Sequence, residues 1–164
     1  MAEKLEETQA SIAEIETLYR ERYPRFLRVA VATLGDVERA RDAVHEAFVR
    51  AIKSRGDFRG DGSLESWVWR TLVNVCLADL RHQPLPLPAL EATAQAGQND
   101  DWPELRAAIG ELPERQRLTL FLRHYADLDY DSIGVALGVA RGTVAASLHA
   151  ARSQLRKVLG EVTT

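Results

Sequence analysis

The most constraining stretch of the chain is DYDSIGVALGVARGTVAASLHAARSQLRK, Asp129 to Lys157. Asp129 can cap a short helix, and Gly138 suits the left-handed position that ends one. After two further residues a longer run of helical apolar spacing starts near Arg141. A short helix, a tight glycine turn and a long helix make a helix-turn-helix. The small Gly134 would let the two helix backbones approach closely. Val144, Leu148, Ala151 and Leu155 form the inward stripe of the second helix, and Arg141, Ala145, His149, Arg152 and Arg156 form an outward one.

That outward stripe matters because of its charge. No acidic residue stands between Asp131 and Glu161, whereas Arg141, Arg152, Arg156 and Lys157 supply four positive charges. Phosphate contact needs such local clustering. The formal net charge of the 164 residues is -3, so the chain as a whole carries no basic signal. The same geometry also serves plain packing, and basic residues favour helix C-termini on their own account. Both readings stand on this feature alone.

The remaining sequence is helical in its signals. Ser11 with Glu14 forms a capping-box pattern ahead of Ile12, Ile15, Leu18 and Tyr19. Pro24 predicts a break, with a second helix starting near it and closing at Gly35. Asp36 caps the next helix, whose Val37, Ala40, Val44, Ala47, Phe48 and Ala51 make one apolar face. RGDFRGDG, with three glycines in eight residues, predicts a loop. Ser63 then caps SLESWVWRTLVNVCLADLRH, a helix apolar over more than half its circumference and therefore central. At least one of its two tryptophans must be core, and Trp67 is assigned there.

From Gln83 to Asp100 three prolines, little charge and no apolar period predict a flexible linker. The fold class is therefore all-α: two small helical domains, 1–82 and 101–164, joined by a linker over 83–100, the second carrying the helix-turn-helix. No strand alternation and no internal repeat is found. With 46% hydrophobic and 27% charged residues the chain is ordinary for a globular protein able to bury a core. One cysteine, Cys76, excludes an internal disulfide and reads as a small buried hydrophobe. The N-terminal MAEKLEETQASIAE lacks an apolar signal core, and no run reaches the roughly 18 apolar residues of a membrane span. A soluble, cytoplasmic protein without membrane insertion is expected. His45, His82, His124 and His149 show no metal spacing, and no phosphate loop or nucleophile motif is present. No enzyme activity, cofactor, metal ligand or catalytic residue is expected.

ELPERQRLTLFLRHYADLDYDSIGVALGVARGTVAASLHAARSQLR resembles the fourth domain of bacterial sigma factors, which reads the upstream promoter element. DVERARDAVHEAFVRAI, followed by FRGDGSLESWVWRTLVNVCLADLRH, resembles their second domain, which holds the polymerase clamp and opens DNA. Order, linker and length resemble the extracytoplasmic-function (ECF) type of the sigma-70 family, from about Leu18 onward. The resemblance implies core RNA polymerase and promoter DNA as partners, with an anti-sigma protein as regulator. It assigns polymerase binding to Asp42, His45, Glu46 and Arg50, although the family usually has glutamine where His45 stands. It assigns the downstream element to Phe58, Arg59, Ser63, Arg70, Asn74 and Arg81, the loop capturing a flipped base. Single-stranded DNA needs such a cationic groove with surfaces for unstacked bases, and Asn74 can offer a base edge both a donor and an acceptor.

The upstream element falls to Arg141, Thr143, His149, Arg152 and Arg156. Here the chain departs from the family: GTVKSRLHRAR stands as GTVAASLHAAR, with Ala145, Ser147 and Ala150 in place of basic residues. Ala140 replaces the usual capping serine, a change of about 1 kcal/mol in helix stability. A weaker grip on the upstream element is expected. The depleted helix also fits a second reading, a sigma mimic that sequesters an anti-sigma protein without reading promoters.

Overall fold

The computed structural model describes residues 9–84 and 103–162. The flexibility expected of 83–100 falls almost wholly outside these residues. Seven α-helices and no strand are present among the described residues: α1 (Ile12–Leu34), α2 (Val37–Lys53), α3 (Leu64–His82), α4 (Pro103–Gly110), α5 (Glu114–His124), α6 (Tyr130–Leu137) and α7 (Arg141–Val162). No single one of these helices is long and apolar enough to cross a membrane.

Local chemistry sets most helix ends. At α1 the Glu14 amide donates to Ser11 Oγ (3.1 Å), while the Ser11 amide donates to Glu14 Oε2 (2.8 Å), a complete capping box. Asp36, Ser63 and Asp129 each accept the amide three residues on, capping α2, α3 and α6. Gly35 and Gly138 end α1 and α6 with φ of 71° and 67°, a conformation that costs other residues a Cβ clash. The glycine-rich loop contains a single 3-10 turn, Arg55–Asp57.

Pro24 does not break the first helix; α1 runs through it without interruption. A mid-helix proline forfeits one backbone hydrogen bond and costs about 3 kcal/mol. Here the helix buries Ile15, Phe26, Val29, Ala30 and Leu34 on both sides of the proline. That apolar face holds the rod together across the defect.

In the first half α1, α2 and α3 pack around Phe26, Val44, Phe48, Val68, Trp69 and Leu72. Trp69, rather than Trp67, is the tryptophan at the centre of the core. Trp69 is fully buried and stacks on Phe26, centroids 4.0 Å apart, whereas Trp67 is half-buried. Both indoles lie on the broad apolar surface of α3, and the choice is made by Phe26, which α1 delivers opposite Trp69. Val37, expected on the buried face of α2, is 37% exposed because it sits at the first, outermost turn.

In the second half α4, α5 and α6 pack against α7 around Leu122, Ile133, Val144, Leu148 and Ala151. The two halves also touch. Helix α3 packs on α6, and Arg25 of α1 donates to the Ala126 carbonyl at 3.4 Å. Covered by α1 and α2 on one flank and by α6 on the other, α3 has use for apolar residues over most of its circumference.

Candidate nucleic-acid interface

The helix-turn-helix is fixed by its glycines. A Cβ on Gly134 would stand 2.8 Å from the Val139 carbonyl oxygen, a separation real side chains do not tolerate. The Val139 amide donates to the Gly134 carbonyl at 2.9 Å. Helices α6 and α7 are thereby locked backbone to backbone. Val144, Leu148 and Ala151 of α7 are buried as expected, and Leu155 is half-buried. Ala140 precedes the helix without a side-chain cap; its carbonyl accepts from the Thr143 and Val144 amides.

The expected outward stripe of α7 is less uniform than its spacing implies. Arg141, Ala145, His149 and Arg156 are exposed, but Arg152 is half-buried, leaning toward His124 of α5. Thr143 lies about 200° around the helix from Arg141 at 100° per residue, so the two flank the open face. Ala145 and Ala146 occupy exposed positions, and Ser147 and Ala150 are half-buried. Burial first, then Arg152 and Arg123, holds His124 below the ordinary histidine range. It therefore adds no charge to this face at neutral pH.

Two neighbours of Arg141 were invisible to periodicity. Its Nη1 donates to Asp131 Oδ2 at 2.9 Å, and its Cζ stands 5.5 Å from the Tyr130 ring centroid. The acidic residue that bounds the acid-free stretch thus folds back onto the first arginine of the basic face. Ten residues and a turn separate them, so no helical spacing reveals the pair.

In the first half Arg70, Asn74 and Arg81 fall on one stripe of α3 and are exposed. Arg81 Nε donates to the Leu77 carbonyl at 3.3 Å. The Arg70 guanidinium reaches the α6–α7 turn, with Nη2 3.9 Å from a Cβ placed on Gly138. Ser63 stands at the head of the helix with its hydroxyl already engaged, accepting the Ser66 amide and hydrogen-bonded to Ser66 Oγ at 2.7 Å. Arg59 is exposed at the loop tip, and Phe58 is half-buried against Trp67 with ring centroids 5.6 Å apart. Trp67, not Trp69, is therefore the indole beside the loop.

Asp42, His45, Glu46 and Arg50 are all exposed along one face of α2, opposite its buried alanines. Glu46 and Arg50 pair across one turn. His45 also borders a groove of about 410 Å³ between α1 and α2, lined by Ile12, Ile15, Tyr19, Phe48 and Ile52 among others. Ile12 is 50% exposed there. The apolar edge of this surface was not read from sequence, because Ile12 and Tyr19 fit the buried period of α1.

Comparison with known proteins matches the same two regions. Residues 18–84 match the family described as Sigma-70 region 2, and residues 103–155 match Sigma-70, region 4. The chain is 32% identical over 155 residues to the ECF RNA polymerase sigma factor SigM of Mycobacterium tuberculosis, covering 90% of this chain and 78% of that one. It is 28% identical to the RNA polymerase sigma factor YlaC of Bacillus subtilis, covering 87% and 90%. Its fold resembles the sigma factor RpoE solved with the anti-sigma factor NepR from Bartonella quintana, TM-score 0.70, with 19% identity over 91% of this chain and 98% of that one. It also resembles CnrH solved with the cytosolic domain of CnrY, TM-score 0.72, with 19% identity over 93% and 91%.

Proposed function

The chain belongs to the ECF sigma factors of RNA polymerase, and we propose that it divides promoter use among three of its own surfaces. As a sigma factor it binds core RNA polymerase, directs transcription initiation at promoters and carries out no catalysis itself.

The α2 strip of Asp42, His45, Glu46 and Arg50 docks on the polymerase clamp. The loop around Phe58 and Arg59, with Arg70, Asn74 and Arg81 of α3, binds the melted downstream element. Bases that leave the duplex need a flat apolar surface and a nearby cation. Phe58 beside Trp67 offers the first, and Arg59 and Arg70 the second. Ser63 contributes by holding the head of α3 rather than by donating to DNA. Helix α7 grips the upstream element through Arg141, Thr143, His149, Arg152 and Arg156. An anti-sigma protein keeps the factor idle in the cytoplasm until a signal releases it. The structural relatives, solved in complex with proteins titled anti-sigma factor and cytosolic domain of CnrY, support that last assignment.

One observation carries the division of labour: Asp42, His45, Glu46 and Arg50 are exposed on α2, whereas Arg59 of the loop and Arg70, Asn74 and Arg81 of α3 are exposed on other elements of the same three-helix unit. Charge reversal should therefore separate them. Asp42→Lys is expected to weaken association with core polymerase while leaving the melting temperature unchanged, because Asp42 is exposed. Asn74→Ala should leave that association intact and reduce open-complex formation. Loss of core binding in Asn74→Ala, with Asp42→Lys silent, would reverse the assignment.

A further inference from the structure

We infer that Arg141 is the base-reading arginine of the upstream element, and that Asp131 and Tyr130 are its positioning residues. This rests on the proposal that α7 enters the DNA groove.

An arginine reads a guanine by presenting two N–H groups of its fork to O6 and N7 in the major groove. In helix-turn-helix proteins such contacts come from the N-terminal end of the second helix. Arg141 is the first residue of α7 and its side chain is 64% exposed. A free arginine there would sample many rotamers and meet phosphates as readily as bases. This one is held from two sides. Asp131 takes an Nη1 hydrogen at 2.9 Å, and the guanidinium carbon stands over the Tyr130 ring, 5.5 Å from its centroid. The opposite edge of the fork, Nε and Nη2, can pair with a base.

The support itself is rigid. Asp131 and Tyr130 occupy the first turn of α6, and the Gly134–Val139 contact fixes α6 against α7. The carboxylate also offsets the charge Arg141 would offer to any phosphate, so the pair exchanges general grip for selectivity. That distinguishes Arg141 from Arg156, which is exposed near the far end of the helix, where a cation adds to affinity without regard to sequence.

Binding of the full-length protein to promoter duplexes, each substituted at one upstream base pair, tests this at fixed salt. The wild type should prefer guanine at one position by about tenfold, within the range of a bidentate contact. Arg141→Ala should flatten the preference at that position and at no other. Arg141→Lys, which keeps the charge but loses the fork, should do the same with an unchanged salt slope. Asp131→Asn should bind all duplexes as tightly as wild type or more so, yet lose severalfold in the guanine preference; Tyr130→Leu should lose preference likewise. Uniform tightening by Asp131→Asn with preference intact would overturn the positioning role. A guanine preference that survives Arg141→Ala would overturn the reading role while leaving upstream binding standing. Binding with no sequence preference at any position would sink the upstream assignment and this inference together. Arg141 and Asp131 are both exposed, so their variants should melt near wild type, whereas Tyr130 is half-buried and its variant is compared at matched folded fraction.

Discussion

Asp129 shows how much a single side chain settles. Its carboxylate accepts the Ser132 amide at 2.7 Å and so starts the first helix of the helix-turn-helix. Hydrogen bonds from Ser132 hold its pKa below the usual carboxylate value against the opposing desolvation, with smaller help from the charges of Arg141 and Arg123. A group with a lowered folded pKa stabilises above its unfolded value, and that contribution fades as pH falls through the lowered one. Asp129→Ala should cost about 1 kcal/mol at neutral pH. Asp129→Asn caps nearly as well but cannot titrate, so it should retain most of the stability and flatten its decline below the ordinary carboxylate range. Denaturant melts of the three proteins between acid and neutral pH check both points; a parallel acid decline in Asp129→Asn would remove the carboxylate from the account. Caps of this kind were legible in the sequence because they act over three residues. The partnership of Asp131 with Arg141 was not, since it depends on the angle between two helices.

At the level of elements two of the glycines of the recognition unit, Gly134 and Gly142, behave in opposite ways. Gly134 has backbone 2.8 Å from its missing Cβ, whereas a Cβ on Gly142 meets nothing within 4 Å. Gly134→Ala must therefore push α6 from α7 and should cost about 1–3 kcal/mol. Gly142→Ala, in a helix and unobstructed, should gain roughly 0.4–1 kcal/mol by reducing the freedom of the unfolded chain. Thermal unfolding of each variant decides it, and equal effects would mean that α6 and α7 are not held by that contact. Pro24 teaches the complementary lesson. Its local penalty is real, yet the tertiary burial of Phe26 and Val29 on one side and Ile15 on the other outweighs it. Propensity describes the isolated segment, and neither α2 nor α3 is visible to it. The exchange of Trp67 for Trp69 has the same origin.

Across the whole molecule the sequence exposed the helices, the order of the two halves and the exposed α2 strip, because each follows from local period and charge. It concealed the contact between the halves. The breadth of the apolar surface on α3 signals centrality within one domain, while α6 of the other half covers part of it. Cys76 lies inside that same helix, and burial, with Asp79 adding to it, pushes its thiol up to about 12. The thiolate is the reactive form, so a thiol reagent at neutral pH should label Cys76 only as fast as the protein unfolds. Rapid labelling under native conditions would show that α3 opens far more easily than its packing indicates.

The central claim is that this chain, despite its alanine-rich recognition helix, reads promoters for RNA polymerase. Run-off transcription by purified core polymerase over a promoter library measures this most directly. Transcripts are expected from a defined subset of promoters, reduced by Asp42→Lys and by Asn74→Ala and increased when Ala145→Lys and Ser147→Arg restore charge to α7. A wild-type protein that binds an anti-sigma protein tightly yet yields no transcript from any promoter would contradict it and establish a sigma mimic instead.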